Sequence, residues 1–387
     1  MKIVFFSNYM THHQLPFCLE MIKLADVEFI FVCTEKIPQQ RLDFGYEDLN
    51  LKYDFILRAY ESQNEKIQAK KLADEADVVI VGSAPMEYVF DRLKKKKLTF
   101  RCTERLYKKQ YRGFQFIKNA LINYWINGRH KSLYLLAASA FASADYKKNR
   151  TFINKAYKWG YFTEVKRYKD IQQMVDKKAR NSILWAGRLI DCKHPEMAIQ
   201  VAKKLKQDGY DFTLKIIGNG PLQAPLEQLI KDNKIEGTVE LLGALSPNEV
   251  RLHMEASEIF LFTSDRNEGW GAVLNEAMNS ACVVVASHAI GSVPYLLSNE
   301  DNGMIFKDGC CEDLYLNVKR LLDDSEKRKL IGINAYKTMQ KVWNPSVAAQ
   351  RLVDLCKSLS KEKNAFNLFE SGPCSKAEEI ADDWFLK

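Results

Sequence analysis

A chain of 387 residues with 47% hydrophobic and 11% aromatic content is long enough for two packed domains, and no apolar run approaches the roughly 18 residues of a membrane-spanning helix. Nine scattered cysteines without metal-ligand spacing read as reduced thiols, and the short apolar start Ile3 to Phe6 is no signal-peptide core, so a cytoplasmic protein is expected rather than a secreted disulfide scaffold. The net charge of +8 is uneven, with 33 basic and 20 acidic residues in 1–180 against 24 and 29 in the rest; with no nucleic-acid motif beside it, the basic half points to a membrane surface or a phosphorylated substrate before nucleic acid.

From the N-terminus, IVFF (3–6), VEFIFVC (27–33), DVVIVG (77–82), LTFRC (98–102) and LYLLAAS (133–139) are short, nearly unbroken apolar runs. That is the pattern of buried parallel strands, and the helical segments between them predict a βαβ sheet. The first strand runs into the loop Ser7 to Gln14, on the edge where such sheets bind ligands. His12 and His13 there lack the spacing of a zinc pair. They serve either an acceptor, as base or contact, or the fold, as a capping pair. Glu104, after the LTFRC strand, either positions an acceptor hydroxyl or pairs with Arg101 or Arg105. Lys94 to Lys97 read as a solvated helix end. Together with Lys108, Lys109, Arg112, Lys118 and the amphipathic stretch 114–125, they also suit anionic lipid.

A polar, charge-rich stretch then suggests a linker over 166–181. A second series follows: SILWAG (182–187), FTLKIIG (212–218), TVELLG (238–243), EIFLFT (258–263) and CVVVAS (282–287), with helices over 195–207, 221–233, 247–256 and 272–280. Three of these helices begin near a proline, the favoured first-turn residue. The expected organisation is a domain over 1–165, the linker, a domain over 182–344, and a C-terminal piece over 345–387 that opens with a helix. Both domains read as α/β, doubly wound and Rossmann-like.

The second domain has its chemistry at strand ends. Gly187-Arg188 and Lys193 place a guanidinium fork and an ammonium where a diphosphate would be met. Gly218-Asn219-Gly220-Pro221 lacks the third glycine of a dinucleotide fingerprint, and is either a plain βα turn or a contact to a base or ribose. Glu268 stands in a glycine-containing loop and Glu276 one turn into the next helix. Carboxylates accept from sugar hydroxyls, and the backbone N–H groups between them, around Gly269, Gly271, Ala272 and Val273, suit a phosphate. A solvated surface pair would look the same. Gly291-Ser292-Val293-Pro294 opens another helix, with His288 just before it as an ordinary loop histidine or a ligand contact.

Taken in order, Gly187-Arg188 with Lys193, Gly218-x-Gly220-Pro221, Glu268-x7-Glu276, and Gly291-x-x-Pro294 followed by Asn302-Gly303 resemble the retaining GT-B glycosyltransferases of family 4. The likeness is good over 182–345 and loose before it. It implies two Rossmann-like domains facing across a cleft and a nucleotide-diphosphate sugar, a UDP-sugar by preference, as donor. Arg188 and Lys193 would neutralise the diphosphate in place of a metal ion, so no cofactor is expected. Glu268 would hold the transferred sugar, Glu276 the ribose, and the N–H groups of Gly271 to Val273 sugar or phosphate oxygens. The helix at 345–358 would cross back to the first domain. The first loop and Thr103-Glu104 depart from the family's glycines and histidine. NYMTHHQLP and CTERL are similar instead to members from bacterial surface-polysaccharide clusters. That implies a glycan or lipid-diphosphate acceptor, met by a peripheral protein on the inner face of the plasma membrane. A sugar-nucleotide epimerase, a phosphorylase (whose cofactor lysine site is not evident) and a non-catalytic nucleotide-sugar-binding protein share the expected fold.

Overall fold

The structure, a computed structural model, describes residues 1–43, 47–108, 113–361 and 366–386. The chain divides into two units: Met1–Glu164 with Trp343–Ala381, and Val165–Val342 with the chain end from Asp382.

In the first unit, β1 (Lys2–Ser7), β2 (Glu28–Cys33), β3 (Ile56–Arg58), β4 (Val78–Val81), β5 (Thr99–Thr103), β6 (Leu133–Ala137) and β7 (Ala156–Lys158) form a parallel sheet in the order β3-β2-β1-β4-β5-β6-β7. In the second, β8 (Ser182–Ala186), β9 (Thr213–Ile217), β10 (Val239–Gly243), β11 (Ile259–Phe262), β12 (Val283–Ser287) and β13 (Met304–Phe306) run β10-β9-β8-β11-β12-β13, again all parallel. Both are doubly wound, as the apolar runs predict. The central strands β4, β11 and β12 are buried at every position, because helices cover both faces of a parallel sheet. The strands that pattern reading does not find, β3, β7 and β13, are three residues long, too short to show a period.

In each order the direction of winding reverses between the first and fourth strands, β1 with β4 and β8 with β11. The crevice beyond their C-terminal ends is where doubly wound sheets take ligands. In the second unit the register opens that crevice. β8 and β11 pair only at Ile183↔Ile259 and Leu184↔Phe260, and beyond these the two strands part.

Two boundaries differ from expectation. Residues 166–181 are part of the second unit rather than a linker. The helix Ile171–Asp176 packs Val175 against Ala281, Ile333 and Tyr336. Lys178 Nζ, buried, donates to the carbonyls of Met254 (3.0 Å), Glu255 (3.1 Å), Ser257 (2.8 Å) and Ser280 (2.8 Å). A charge-rich composition here hides an ammonium used as a structural staple. The C-terminal piece is also divided. Helix Pro345–Ser360, capped by Asn344 on the Val347 N–H, packs against Leu15–Ile22 in the first unit. Cys374 to Ala377 then run antiparallel along β7. Lys158 N–H donates to Ser375 O at 2.7 Å and Cys374 N–H to Lys158 O at 2.8 Å, which covers that sheet edge. From Asp382 the chain packs on the second unit, with Trp384 Nε1 donating to the His288 carbonyl at 3.1 Å. Among the described residues no helix is long and apolar enough to cross a membrane.

Candidate functional site

The loop after β8 is bedded on the loop after β9. Gly187 N–H donates to Ile217 O (3.0 Å) and Leu189 N–H to Asn219 O (2.8 Å). Contact is so close that a Cβ on Gly218, whose φ is +144°, would sit 1.8 Å from the Gly187 carbonyl oxygen. On Gly220, at φ +153°, it would sit 2.4 Å from the Leu189 oxygen. Both glycines are therefore required by backbone packing, whatever they contact in a ligand. Gly218→Ala is expected to destabilise the second unit by about 2 kcal/mol or more, since neither backbone can yield. A urea titration of the full chain followed by far-UV circular dichroism checks it.

The β8 loop continues through a single 3-10 turn, Asp191–Lys193, and is fastened to β11. Thr263 Oγ1 accepts from Trp185 Nε1 at 2.9 Å and donates to the Lys193 carbonyl at 2.7 Å. Asp265 N–H donates to Cys192 O at 3.0 Å. Two backbone strands that part at the crevice are thus tied by one threonine. Across this tie Lys193 Nζ pairs with Glu268 Oε2, and Ser264 Oγ donates to the same oxygen at 3.2 Å. The two charged side chains are 18% and 15% exposed, so their attraction is less screened than that of a surface pair.

The loop bearing Glu268 is clamped from below. Trp270 is fully buried, its Nε1 donating to Asn275 Oδ1 at 2.9 Å and its carbonyl accepting from Ser292 Oγ at 2.5 Å. Gly271 has φ +78°, and a Cβ there would lie 2.3 Å from the Phe262 ring. Helix Val273–Asn279 follows Ala272 and is seven residues long. Glu276, in its first turn, is half-buried. Burial raises its carboxyl to about 7, and Arg251 pulls it back only in part.

Not every expected residue joins this group. Arg188 is exposed, and its carbonyl accepts from the Ile190 N–H at 2.9 Å. His288 is structural: its Nδ1 accepts from the Asp308 N–H at 2.9 Å. Asn302 is fully used by the backbone of Leu296 and Ser298 and by Thr338, and Gly303 lies against Leu297. Gly291 N–H donates to the Glu268 carbonyl at 3.3 Å, so this glycine supports the loop. Trp185, Thr263, Ser264, Trp270 and Ser292 are missed by sequence reading. The only local signal is a run of hydroxyls, Thr263-Ser264, placed at the end of an apolar strand.

In the first unit a cavity of about 280 Å³ opens beyond β1, β4 and β5, between Gln14, Ser83, Glu104, Lys108 and Tyr161. Glu104 accepts from Tyr161 OH at 2.9 Å and from Lys108 Nζ at 2.6 Å. It pairs with neither arginine considered from the sequence. Arg105 faces Asp145 at 3.4 Å, and Arg101 donates to Ala84 O at 3.3 Å. The His13 ring stacks on Tyr161, 6.2 Å between centroids, which brings His13 and Glu104 onto one tyrosine. Burial, aided by Arg41, lowers His12 to about 4; burial, the neighbouring His12 and Arg41 hold His13 well below its usual range. Both imidazoles are thus held toward the neutral form.

Residues 166–338 match the family profile described as Glycosyl transferases group 1. Two similar curated proteins are the amylovoran biosynthesis glycosyltransferase AmsK of Erwinia amylovora and the putative colanic acid biosynthesis glycosyltransferase WcaL of Escherichia coli. AmsK is 28% identical over 46% of this chain and 45% of its own; WcaL is 26% identical over 46% and 45%. The chain therefore spans about half the length of the curated relatives it matches. Among solved structures, HepE of Anabaena in complex with UDP superposes with a TM-score of 0.69 over 92% of this chain and 100% of its own, at 16% identity. The two parallel-sheet α/β units have the GT-B glycosyltransferase fold.

Proposed function

We propose that the chain is a retaining glycosyltransferase that moves a sugar from a UDP-sugar to a glycan carried on a lipid diphosphate. The observation that supports this reading is the Lys193–Glu268 pair with Ser264, held over the β8/β11 crevice by the Trp185–Thr263–Lys193 relay. A cation and an acceptor-only carboxylate meet there from two sides. That suits a ligand with a diphosphate at one end and hydroxyls at the other. The AmsK and WcaL likenesses favour surface-polysaccharide synthesis, and the UDP in HepE favours the uridine donor.

In this reading Glu268 orients the hydroxyls of the transferred sugar and Glu276 accepts from the ribose. Lys193 and the exposed Arg188 meet the diphosphate. The acceptor oxygen attacks the anomeric carbon on the face from which UDP departs. The bond from that carbon to the β-phosphate oxygen breaks, its electron pair leaves with UDP, and the acceptor proton passes to the departing phosphate oxygen. Negative charge grows on the diphosphate as this happens, and preorganised cations stabilise it. No cofactor is assigned a role. The cavity lined by Gln14, Ser83, Glu104 and Tyr161 supplies hydrogen-bonding groups for the acceptor.

Incubation of the full chain with a panel of nucleotide sugars tests the reading. Thermal stabilisation by UDP and slow release of UDP from one UDP-sugar are expected. Isomerised donor without release would indicate an epimerase. Binding without turnover on any lipid-linked glycan would indicate a binding protein.

Glu276 gives a pH signature. In the free protein burial raises this carboxyl to about 7, whereas a ribose hydroxyl donates to the ionised form. UDP binding should therefore release a proton, and affinity should rise with pH between about 6 and 8. Titration calorimetry in buffers of different ionisation enthalpy reads the proton directly. Glu276→Gln should flatten the profile.

A further inference from the structure

The connection from β5 to β6 contains helix Gly113–Asn123, continued by the π-helical turn Tyr124–Gly128. Its apolar side faces solvent. Ile117, Leu121 and Trp125 are 57%, 58% and 61% exposed, and Ile122 and Tyr124 stand beside them at 45%. Positions 117, 121 and 125 follow at four-residue steps and form one stripe. A helix on a packed domain ordinarily turns that stripe inward. Here the inward side holds Phe116, its ring 5.5 Å from that of Tyr107, and the buried Asn127. Phe116 and Asn127 turn inward while the stripe turns out.

Charge says what covers it. Between Glu104 and Asp145 the chain has seven basic residues and no acidic one. Lys118 is on the exposed side, and the Arg129 guanidinium lies over the Trp125 ring, 4.7 Å from its centroid. Lys109 and Arg112 lie outside the described residues. Large apolar side chains, an aromatic ring and a rim of cations without a single carboxylate match a surface that is apolar inside and anionic at its boundary. A second copy of the same face would bring like charges together.

We propose that this helix seats the Ile117–Leu121–Trp125 stripe in an anionic lipid leaflet, with Lys118, Arg129 and Lys131 at headgroup level. The surface stands on its own observations, and the lipid measurement does not depend on sugar transfer.

Flotation of the full chain with vesicles of phosphatidylglycerol and phosphatidylcholine tests it. Co-migration at low salt is expected, with little on phosphatidylcholine alone and a decline as salt is raised. The double variant Ile117→Gln/Leu121→Gln should keep the wild-type melting temperature and lower vesicle binding by roughly tenfold or more. Lys118→Glu/Arg129→Glu should do likewise on anionic vesicles only. Absence of wild-type co-migration, or undiminished binding by the apolar double variant, overturns the proposal. A wild-type dimer in light scattering that the same variant dissolves, without vesicle binding, would instead make a second copy the occupant.

Discussion

Glu268→Gln is expected to lower kcat for sugar transfer by roughly 10² to 10³-fold, with the protein still folded and still binding UDP. Glutamine keeps the shape of the side chain but not the charge that fixes hydroxyls which become more acidic as the ring gains positive character. The ion pair with Lys193 offers a purely structural alternative, because both partners are mostly shielded from water. Removing one partner of such a pair leaves the other poorly solvated and destabilises by about 1–3 kcal/mol. The two accounts separate in a double-variant cycle. If the pair only braces the loop, Lys193→Met and Glu268→Gln should each lower the melting temperature, and the double variant should recover both stability and turnover. If the pair does the work assigned to it, the double variant recovers stability but not turnover. A Glu268→Gln enzyme with wild-type kcat removes the assignment.

Arg92→Met should cost the first unit about 3–5 kcal/mol, the range for breaking a buried, fully bonded ionic group. Arg92 is 1% exposed and all its donors are engaged. Nε donates to Thr99 Oγ1 at 3.1 Å, Nη1 to the carbonyls of Ala73 (2.9 Å) and Ala76 (2.6 Å), and Nη2 to those of Asp77 (2.7 Å) and Leu98 (2.6 Å). These carbonyls lie at the end of helix Gln63–Glu75 and at the starts of β4 and β5. One guanidinium thus satisfies the acceptors where a helix stops and two strands begin. Burial lowers its pKa to about 10, with Asp74 and Asp77 opposing, so the group stays charged at neutral pH. Methionine fills much of the volume but takes the guanidinium donors from four carbonyls, of which Leu98 O keeps the Val79 N–H at 3.3 Å. Arg92→Lys should recover only part of the loss, because three donors cannot span the same fan. Denaturant unfolding of the full chain should show an earlier transition for the first unit and an unmoved one for the second. Because the guanidinium works at the N-terminal edge of the sheet, turnover per folded molecule should stay unchanged. A single wild-type-like transition would show that the acceptors find other partners.

The chain positions of most strands and many of the βα loops were legible in the sequence, since they rest on local properties. Continuous runs such as DVVIVG and EIFLFT have few other ways to be buried, and proline at 195 and 247 sets the first turn of helices Pro195–Gln207 and Pro247–Ala256. Strands of three residues carry no period and escaped. Lys178 and Arg92 escaped for a different reason. In sequence each is one more cation in a charged stretch, and only the chain's return puts backbone carbonyls around it.

By itself, then, the sequence determined two doubly wound series and the positions at strand ends where charge and glycine gather. Tertiary structure alone decided which of those groups meet. Lys193 and Glu268 are 75 residues apart and are joined because the sheet order sets β8 beside β11. Of two motif positions that look alike, Gly291 becomes a support under the Glu268 loop, while Asn302 ties Leu296 and Ser298 to Thr338. Glu104 takes Tyr161 and Lys108 rather than the neighbouring arginines. The four-residue stripe at Ile117, Leu121 and Trp125 shows the same limit. Its period is identical whichever way the helix turns, and only packing of the opposite side against Tyr107 turns it to solvent. Periodicity is a property of one segment, whereas partnership and exposure belong to the surfaces that segments make together.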